Sequence, residues 1–261
     1  MCFETDSRPP LPPIRGAALD TRDLTLTAAD GNHFAAFAAH AAEPKGAAVI
    51  VIPDVRGLHP YYEELALRFA EAGVHALAID FYGRTAGAEK RAADFEYEPN
   101  VRQLRADGVN VDVAAAADWL RSTDGQRPER LYTLGFCIGG RMSFVQAASG
   151  LGLAGVIGFY GWPVGPHRSG LPAPADVAPE FGCPVLAIYG GADEGIPAEA
   201  RQEFDRALEA AAVDHRSVVY DGAPHSFFDR KQEQFAEAST DAWRRVLDFM
   251  GVHPGQSAGL V

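Results

Sequence analysis

The feature that most constrains the fold of this 261-residue chain is an alternation, from residue 46 onward, of short apolar runs with segments of helical periodicity. Each run is continuously apolar and bounded by turn residues, which is typical of a parallel strand buried on both faces. Because strand and helix alternate nearly throughout, the sequence predicts a mostly parallel sheet with helices on both faces. The predicted strands are 47–52, 74–79, 131–134, 155–159, 185–189 and 216–220, and the predicted helices are 61–72, 101–121, 138–148, 198–211 and 235–249.

The residues before this alternation have a different character. Four prolines between positions 9 and 13 favour an extended arm over residues 1–20. Apolar residues on either side of Asp30-Gly31-Asn32 then indicate an antiparallel β-hairpin at the edge of the sheet. We therefore expect a proline-rich arm, one α/β domain over residues 21–251 and a short tail over residues 252–261.

Charge and composition argue against several classes of partner. The net charge of −12 disfavours a nucleic-acid backbone or an anionic membrane, because the average surface would repel both. No uncharged apolar run approaches the roughly 18 residues of a membrane span, and the first residues do not resemble a secretory signal. We expect a soluble, cytoplasmic protein. Cys2, Cys137 and Cys183 fit neither a disulfide framework nor zinc pairs, so at least one thiol should be free.

The strongest functional signal is the segment Gly135-Phe-Cys137-Ile-Gly139-Gly140. A predicted strand runs into Gly-x-Cys-x-Gly and then into a helix, which matches the sharp turn that presents a nucleophile, with sulfur in place of a serine oxygen. Gly135 and Gly139 supply the small neighbours that such a turn needs. Amides at the start of the helix lower the pKa of a thiol and can donate to an oxyanion. The alternative is that Cys137 is a small buried side chain before a glycine-rich turn.

A thiol nucleophile needs a histidine to hold its proton and a carboxylate to orient that histidine. Asp193 follows one predicted strand in a turn, and His225 lies in the loop after the last predicted strand. The carboxyl ends of parallel strands are where catalytic residues gather. Singly, Asp193 could be a turn former and His225 a loop residue, but their order after Cys137 favours a Cys-Asp-His triad. Among the other histidines only His59 is placed to line the same site.

These segments resemble the dienelactone hydrolase family, which has the α/β-hydrolase fold and a cysteine nucleophile. The resemblance covers about residues 20–250 and rests on four motifs in the right order. They are Ile79-Asp-Phe-Tyr-Gly-Arg84, Gly-Phe-Cys137-Ile-Gly-Gly, Gly-Gly-Ala-Asp193 and Gly-Ala-Pro-His225-Ser-Phe. The resemblance implies cleavage of an ester or enol-lactone through an acyl-cysteine intermediate, with no metal or organic cofactor.

The resemblance also implies roles for residues around the triad. Asp54 lies where the family has an acidic residue that takes the thiol's proton as substrate arrives. The backbone amides of Val55 and Ile138 correspond to the oxyanion donors. Arg84 matches a family arginine that holds a substrate carboxylate through two parallel hydrogen bonds. A second family arginine lies shortly after the catalytic histidine, and Arg230 stands one place further along.

Two aromatic residues and one surface segment complete the predicted site. We expect Tyr160 and Trp162 to wall the pocket, although aromatics near strand ends commonly belong to the core. Residues 161–179, with five prolines, would then act as a lid. The expected partner is a small ester or lactone, anionic if Arg84 binds it. Two alternatives stay open: a general carboxylesterase or thioesterase in which Arg84 is structural, and a non-enzymatic protein that uses Cys137 for redox sensing.

Overall fold

A single sheet of eight strands organises the part of the chain that the computed structural model describes, residues 20–228 and 234–252. The strands are β1 (Asp20–Thr27), β2 (His33–His40), β3 (Ala47–Ile52), β4 (Val74–Ile79), β5 (Arg130–Phe136), β6 (Gly155–Phe159), β7 (Val185–Gly190) and β8 (His215–Tyr220). Their order in the sheet is β1-β2-β4-β3-β5-β6-β7-β8. The predicted arm, except for its last residue, and the predicted tail, except for its first, lie outside the described residues.

The sheet is parallel apart from its N-terminal hairpin. β2 pairs antiparallel with β1 and with β4, and the other pairs of neighbouring strands are parallel. Gly31 has a φ of 87° in the hairpin turn, a conformation that glycine adopts without a steric penalty. The structure confirms the predicted mostly parallel sheet with an antiparallel hairpin at one edge.

The helices connect successive strands across the sheet. They are α1 (Pro60–Glu71), α2 (Gly83–Ala86), α3 (Tyr97–Val101), α4 (Ala106–Arg121), α5 (Ile138–Val145), α6 (Pro174–Val177), α7 (Ala198–Ala210) and α8 (Ala236–Phe249). The crossover from β3 to β4 and the crossover from β4 to β5 run in opposite directions along the sheet. Because such crossovers are right-handed, α1 and α4 cover opposite faces. Among the described residues no helix is both long and apolar enough to cross a membrane.

One predicted helix is divided in the structure. The periodicity predicts a single helix over 101–121, whereas α3 ends at Val101 and α4 begins at Ala106. Between them Leu104 is buried, and Arg105 has an extended backbone with φ −134° and ψ 140°. The chain therefore leaves the helical conformation where Leu104 packs into the core, although the local sequence favours a continuous helix. Asp107 in the first turn of α4 then favours the new helix start, since a negative charge there interacts well with the helix dipole.

The carboxyl ends of the parallel strands place the candidate residues together. β3, β4, β6 and β7 are buried along their whole length, which explains their continuously apolar sequences. Such strands form a rigid frame, and parallel strands end at the same edge of the sheet. The loops that follow β3, β5, β7 and β8 therefore meet there, and each of them carries a residue that the sequence singled out.

Candidate active site

Cys137 lies on a strained turn between β5 and α5. Its φ is 56° and its ψ is −117°, a backbone conformation that residues other than glycine rarely adopt. A Cβ atom on Gly135 would overlap the backbone of Gly139, and one on Gly139 would overlap the carbonyl oxygen of Pro53. The turn thus requires both glycines, which is the steric role that the sequence predicts for them.

The half-buried side chain of Cys137 faces a cavity of about 100 Å³. This volume suits a small group rather than a large ligand, since pockets for drug-sized ligands are about 300 Å³ or more. The other residues that line the cavity are Ile138, Arg141, Tyr160, Trp162, His167, Gly195, Ile196 and His225. Tyr160 and Trp162 thus lie at the cavity wall, where the sequence placed them.

Asp193 and His225 are in direct contact at this cavity. The Oδ2 atom of Asp193 lies 2.7 Å from Nδ1 of His225, and its Oδ1 accepts the amide of Gly195 at 3.0 Å. Asp193 is 5% exposed, so water competes little for its carboxylate. A carboxylate accepts only, so Nδ1–H of the imidazole is the donor, and in the neutral ring Nε2 is the nitrogen that carries no proton. The ring of Tyr160 packs 4.8 Å from the imidazole.

The amides that the resemblance assigns to an oxyanion lie around the start of α5. Ile138 is the first residue of α5, so its N–H has no acceptor within the helix. Val55 belongs to the loop after β3, and the close approach of Gly139 to Pro53 packs that loop against the first turn of α5. The N-terminus of α5, with its partial positive charge, therefore lies beside Cys137.

Residues 34–253 match the sequence model of the dienelactone hydrolase family. The chain belongs to the dienelactone hydrolase family. It is therefore a hydrolase with the α/β-hydrolase fold, as the resemblance of its motifs implied.

Individual members of the family are similar to it over most of their length. A protein of Yersinia pestis named as a carboxymethylenebutenolidase is 35% identical over 208 residues, which cover 78% of each chain. A Bradyrhizobium protein named as a 2-oxo-3-(5-oxofuran-2-ylidene)propanoate lactonase is 29% identical over 79% of this chain and 84% of its own. The crystal structure of a protein from Klebsiella pneumoniae, described as a dienelactone hydrolase, has a TM-score of 0.77 at 26% identity and covers 90% of this chain.

Asp54 is buried in this family member and is engaged by its neighbours. Its Oδ2 lies 3.2 Å from Nη2 of Arg56, and its Oδ1 accepts the backbone amide of Arg56 at 2.9 Å. The amide of Asp54 donates to the hydroxyl of Tyr62 at 2.8 Å. Asp54 is not among the described residues that line the cavity at Cys137. Its contacts show that it fixes the loop that carries the amide of Val55.

Arg84, to which the resemblance assigns a substrate carboxylate, is engaged in the structure by two carboxylates of the chain itself. Its Nη1 is 2.5 Å from Asp30, and its Nη2 and Nε are 2.8 Å and 3.2 Å from Asp112. These ion pairs tie the hairpin turn to α4. The guanidinium is not among the described groups at the cavity. The chain position predicts only that Arg84 follows β4, and not the direction of its side chain. Arg230 lies outside the described residues.

We expect Arg84→Met to lower stability rather than change substrate preference. The substitution leaves the carboxylate of Asp112, which is 1% exposed, without its arginine, so the free energy of unfolding should fall by roughly 1–3 kcal/mol. Urea unfolding measures this loss. In parallel, kcat/KM for a carboxylate-bearing ester and for a neutral ester of the same size should keep their ratio. A tenfold loss of kcat/KM confined to the anionic ester would show instead that Arg84 binds the substrate carboxylate.

Two further polar side chains lie at the cavity, Arg141, whose nearness to the site in sequence left a solvated or helix-facing role equally open, and His167, which the sequence did not single out. Arg141 lies four residues after Cys137, hence on the same face of α5, and this spacing is the signal that could have found it. Burial lowers the pKa of Arg141 to about 10. Nothing local in the sequence marks His167, which belongs to the 161–179 segment and reaches the cavity only through the tertiary fold.

His59 does not share the cavity of Cys137 among the described residues. It lines a separate recess with Arg56 and Arg91, next to the loop that holds Asp54. Its ring packs edge-on against Tyr62 with the centroids 5.0 Å apart. Burial is the main cause that lowers the pKa of His59 to about 4. The imidazole is therefore neutral at physiological pH.

The depressed pKa of His59 predicts a pH-dependent stability. In the unfolded chain His59 binds a proton below a pH of about 6.5, whereas in the folded chain it does so only below about pH 4. The free energy of unfolding therefore falls as the pH falls from about 6.5 to about 4. His59→Phe keeps a ring against Tyr62 and removes the titration. Between about pH 7.5 and pH 5 the wild type should lose about 2 kcal/mol more free energy of unfolding than the variant. Parallel losses in the two proteins would contradict the assignment.

Proposed function

We propose that this member of the dienelactone hydrolase family cleaves an ester or lactone through an acyl-cysteine intermediate on Cys137, with His225 and Asp193 as its proton-transfer pair. The observation that carries the proposal is the 2.7 Å contact between Asp193 and His225 at the cavity that the strained Cys137 faces. A nucleophile, a base and a group that orients the base are the parts that acyl transfer requires. The names of the relatives, one after a butenolide and one after a lactone, agree with this substrate class.

In the acylation step the sulfur of Cys137 attacks the carbonyl carbon of the substrate. A C–S bond forms while the carbonyl π pair moves to oxygen, and the amides of Ile138 and Val55 donate to that oxyanion. The thiol's proton passes to Nε2 of His225, directly or by way of Asp54. When the oxyanion collapses the ring or ester C–O bond breaks, and this proton ends on the leaving oxygen.

In the deacylation step water displaces the thiolate of Cys137 from the acyl group. Nε2 of His225 takes a proton from water, whose oxygen attacks the acyl carbon, and the C–S bond breaks when the second oxyanion collapses. The proton returns to the sulfur, and the product acid releases its own proton to solvent. Asp193 holds the imidazole in the required tautomer and stabilises its charged form during both steps.

We further propose that Asp54 is the first acceptor of the thiol's proton, a role that the resemblance implies. Its ion pair with Arg56 must break before it can take up this proton. Asp54→Asn keeps an oxygen for the amide of Arg56 and loses the basic carboxylate. Stopped-flow release of the leaving group should show acylation slowed by about 10²-fold in this variant, since general-base groups contribute at least that much. If the acylation rate is unchanged in Asp54→Asn and falls only in Asp54→Ala, Asp54 positions the loop and does not accept the proton.

The ion pairs of Arg84 favour a second candidate, a general carboxylesterase or thioesterase in which Arg84 is structural. Cys183 does not support the alternative in which Cys137 serves redox sensing. Burial raises the pKa of this thiol to about 11, which makes it a poor resolving thiol, and both Cys137 and Cys183 are free. A free thiol nucleophile works in a reducing compartment, so we propose that the protein acts in the cytoplasm.

A screen of aryl esters and lactones tests the proposed function. We expect turnover of at least one small substrate, and complete loss of turnover after Cys137 alone is alkylated, with the site of alkylation established by peptide mass mapping. Activity that survives full alkylation of Cys137 would overturn the acyl-cysteine proposal. Absence of any ester or lactone turnover by the reduced protein would instead favour the redox alternative.

A further inference from the structure

The wall of the small cavity at Cys137 comes partly from the 161–179 segment. Trp162 and His167 belong to this segment and line the cavity, and Arg141 lines it from α5. The segment follows β6 and ends beyond the short helix α6. Its position therefore decides how much room is left beside the sulfur of Cys137.

Arg141 binds both limbs of this segment to α5. Its guanidinium donates to the carbonyl oxygens of Trp162 and Gly165, on the limb that leaves β6, at 3.1 and 2.8 Å. It also donates to the carbonyl oxygens of Leu171 and Pro172, on the limb that returns, both at 3.0 Å. Four bonds from one planar group fix the two limbs in a single geometry. One side chain thus closes the base of the loop.

The bonds of Arg141 are strong because its guanidinium is both buried and charged. The residue is 1% exposed, so water has little access to compete for the carbonyl oxygens. Burial lowers the pKa of Arg141 to about 10, while the carboxylate of Asp176 in α6 favours the charged form. The group is therefore a cation at physiological pH. Hydrogen bonds from a cation to a carbonyl group are stronger than those between neutral groups.

Contacts within the loop hold the ring of His167 in place. Its Nδ1 accepts the backbone N–H of Ser169 at 3.2 Å and lies 2.6 Å from the hydroxyl of Ser169, a residue with no exposed surface. The amide of Gly170 donates to the carbonyl oxygen of His167 at 3.0 Å. Burial is the main cause that lowers the pKa of His167 to about 4, so the ring is neutral. A neutral, fixed ring can serve as a wall for a hydrocarbon chain.

We infer that Arg141 is a positioning residue that sets the length of acyl chain this hydrolase accepts, by holding the 161–179 segment as a fixed wall of the cavity at Cys137. The inference rests on the proposed function and restricts its substrates to esters or lactones with a short acyl chain. In this role the segment is a wall rather than the lid that its sequence suggests. His167 is the part of the wall that the acyl chain meets.

A fixed wall discriminates between acyl chains because the cavity is small. Its volume is about 100 Å³, and Ile138, Tyr160, Trp162 and Ile196 give it an apolar or aromatic lining that suits a hydrocarbon group. In an apolar pocket a single methylene group changes kcat/KM by about 10- to 200-fold. This discrimination requires that the wall does not retreat from a longer chain. The four bonds of Arg141 meet that requirement.

Hydrolysis of two 4-nitrophenyl esters with different acyl chains tests the inference. The wild type should have a higher kcat/KM for the acetate than for the hexanoate. In Arg141→Met the ratio of these constants, acetate over hexanoate, should fall by about 10-fold or more, because the wall is no longer held against the longer chain. His167→Ala removes a ring from the wall itself and should lower the ratio similarly. A loss of stability alone reduces both constants equally and does not change their ratio.

Arg168→Met is the matched control. It removes the same charge from the loop, but Arg168 is exposed and pairs with Glu98 on the surface, where an ion pair contributes little. Its ratio should equal that of the wild type. If Arg141→Met and His167→Ala also keep the wild-type ratio, or if Arg168→Met lowers it equally, the inference is overturned.

Arg141→Lys serves if Arg141→Met does not fold, which thermal unfolding reveals. It keeps a cation but replaces the planar fork by a single ammonium, which cannot reproduce the four bonds. Its acetate-to-hexanoate ratio should then lie below that of the wild type. An unchanged ratio in folded Arg141→Lys would overturn the inference in that case.

Modification of Cys137 repeats the comparison without hydrolysis. With methyl and hexyl methanethiosulfonate the thiolate displaces methanesulfinate and forms a mixed disulfide. The ratio of rate constants at Cys137, methyl over hexyl, should fall in Arg141→Met and His167→Ala and stay unchanged in Arg168→Met. Peptide mass mapping follows Cys137 separately from the other cysteines. Absence of all ester turnover would refute the proposed function, whereas an unchanged reagent ratio in both cavity variants would overturn the role of Arg141.

Discussion

Replacing Cys137 by alanine is expected to reduce turnover by about 10⁴- to 10⁶-fold and to leave folding intact. In enzymes of this kind, loss of the nucleophile removes the whole covalent route and leaves only binding and oxyanion stabilisation. The side chain is half-buried and faces a cavity, so its removal leaves no hole in the core. Steady-state rates measure the loss, and the thermal unfolding midpoint should change by no more than a degree or two.

Cys183→Ala is the matched control for this prediction. Cys183 is buried and its pKa is raised to about 11, so its thiol is a poor nucleophile. This variant should keep wild-type turnover, although a lower stability is expected because a buried sulfur is lost. A Cys137→Ala variant with more than a tenth of the wild-type rate would show that another group attacks the substrate.

The second large effect is expected at His225, together with Asp193. We expect His225→Ala to lower kcat by about 10⁶-fold, and Asp193→Asn by a smaller factor on the order of 10⁴, because the acid acts through the imidazole. The double variant should then be hardly slower than His225→Ala alone. The physical reason is the 2.7 Å contact: without the imidazole, the carboxylate has no proton-transfer group to orient.

A double-mutant cycle on these two residues gives the coupling directly. Rates of the wild type, both single variants and the double variant are compared with one aryl ester, and circular dichroism verifies that each protein is folded. Multiplicative losses, with the double variant slower than His225→Ala by the full Asp193→Asn factor, would show that the two residues act independently. The 2.7 Å contact would then be an ion pair of the loop and not part of the chemistry.

The sequence predicts the sheet well because burial on both faces leaves a clear signal. Three strand ranges, 47–52, 74–79 and 155–159, agree with β3, β4 and β6 at both ends. The division between α3 and α4 could not be predicted, because it depends on where Leu104 packs. Periodicity reports which residues are apolar, but it does not report which tertiary neighbour each of them meets.

In the candidate site, the order of elements along the chain could be predicted from the sequence, but the direction of individual side chains could not. Cys137, Asp193 and His225 could be selected because each follows a strand at the same edge of the sheet, and that placement depends only on the order of elements. Arg84 also follows a strand, but its side chain turns toward Asp30 and Asp112. His167 is brought to the cavity by a segment that α5 ties down, and no local pattern in the sequence encodes that contact.

The central claim, an acyl group carried by Cys137, is tested most directly by rapid quench and peptide mass mapping. The protein is mixed with excess 4-nitrophenyl butyrate, quenched in acid at times that span the first turnover, digested and mapped. We predict a butyryl group on the peptide that contains Cys137, formed in step with the first equivalent of nitrophenolate. An acyl group on any other residue, or a first equivalent of nitrophenolate with no acyl group on the protein at the earliest times, would contradict the claim.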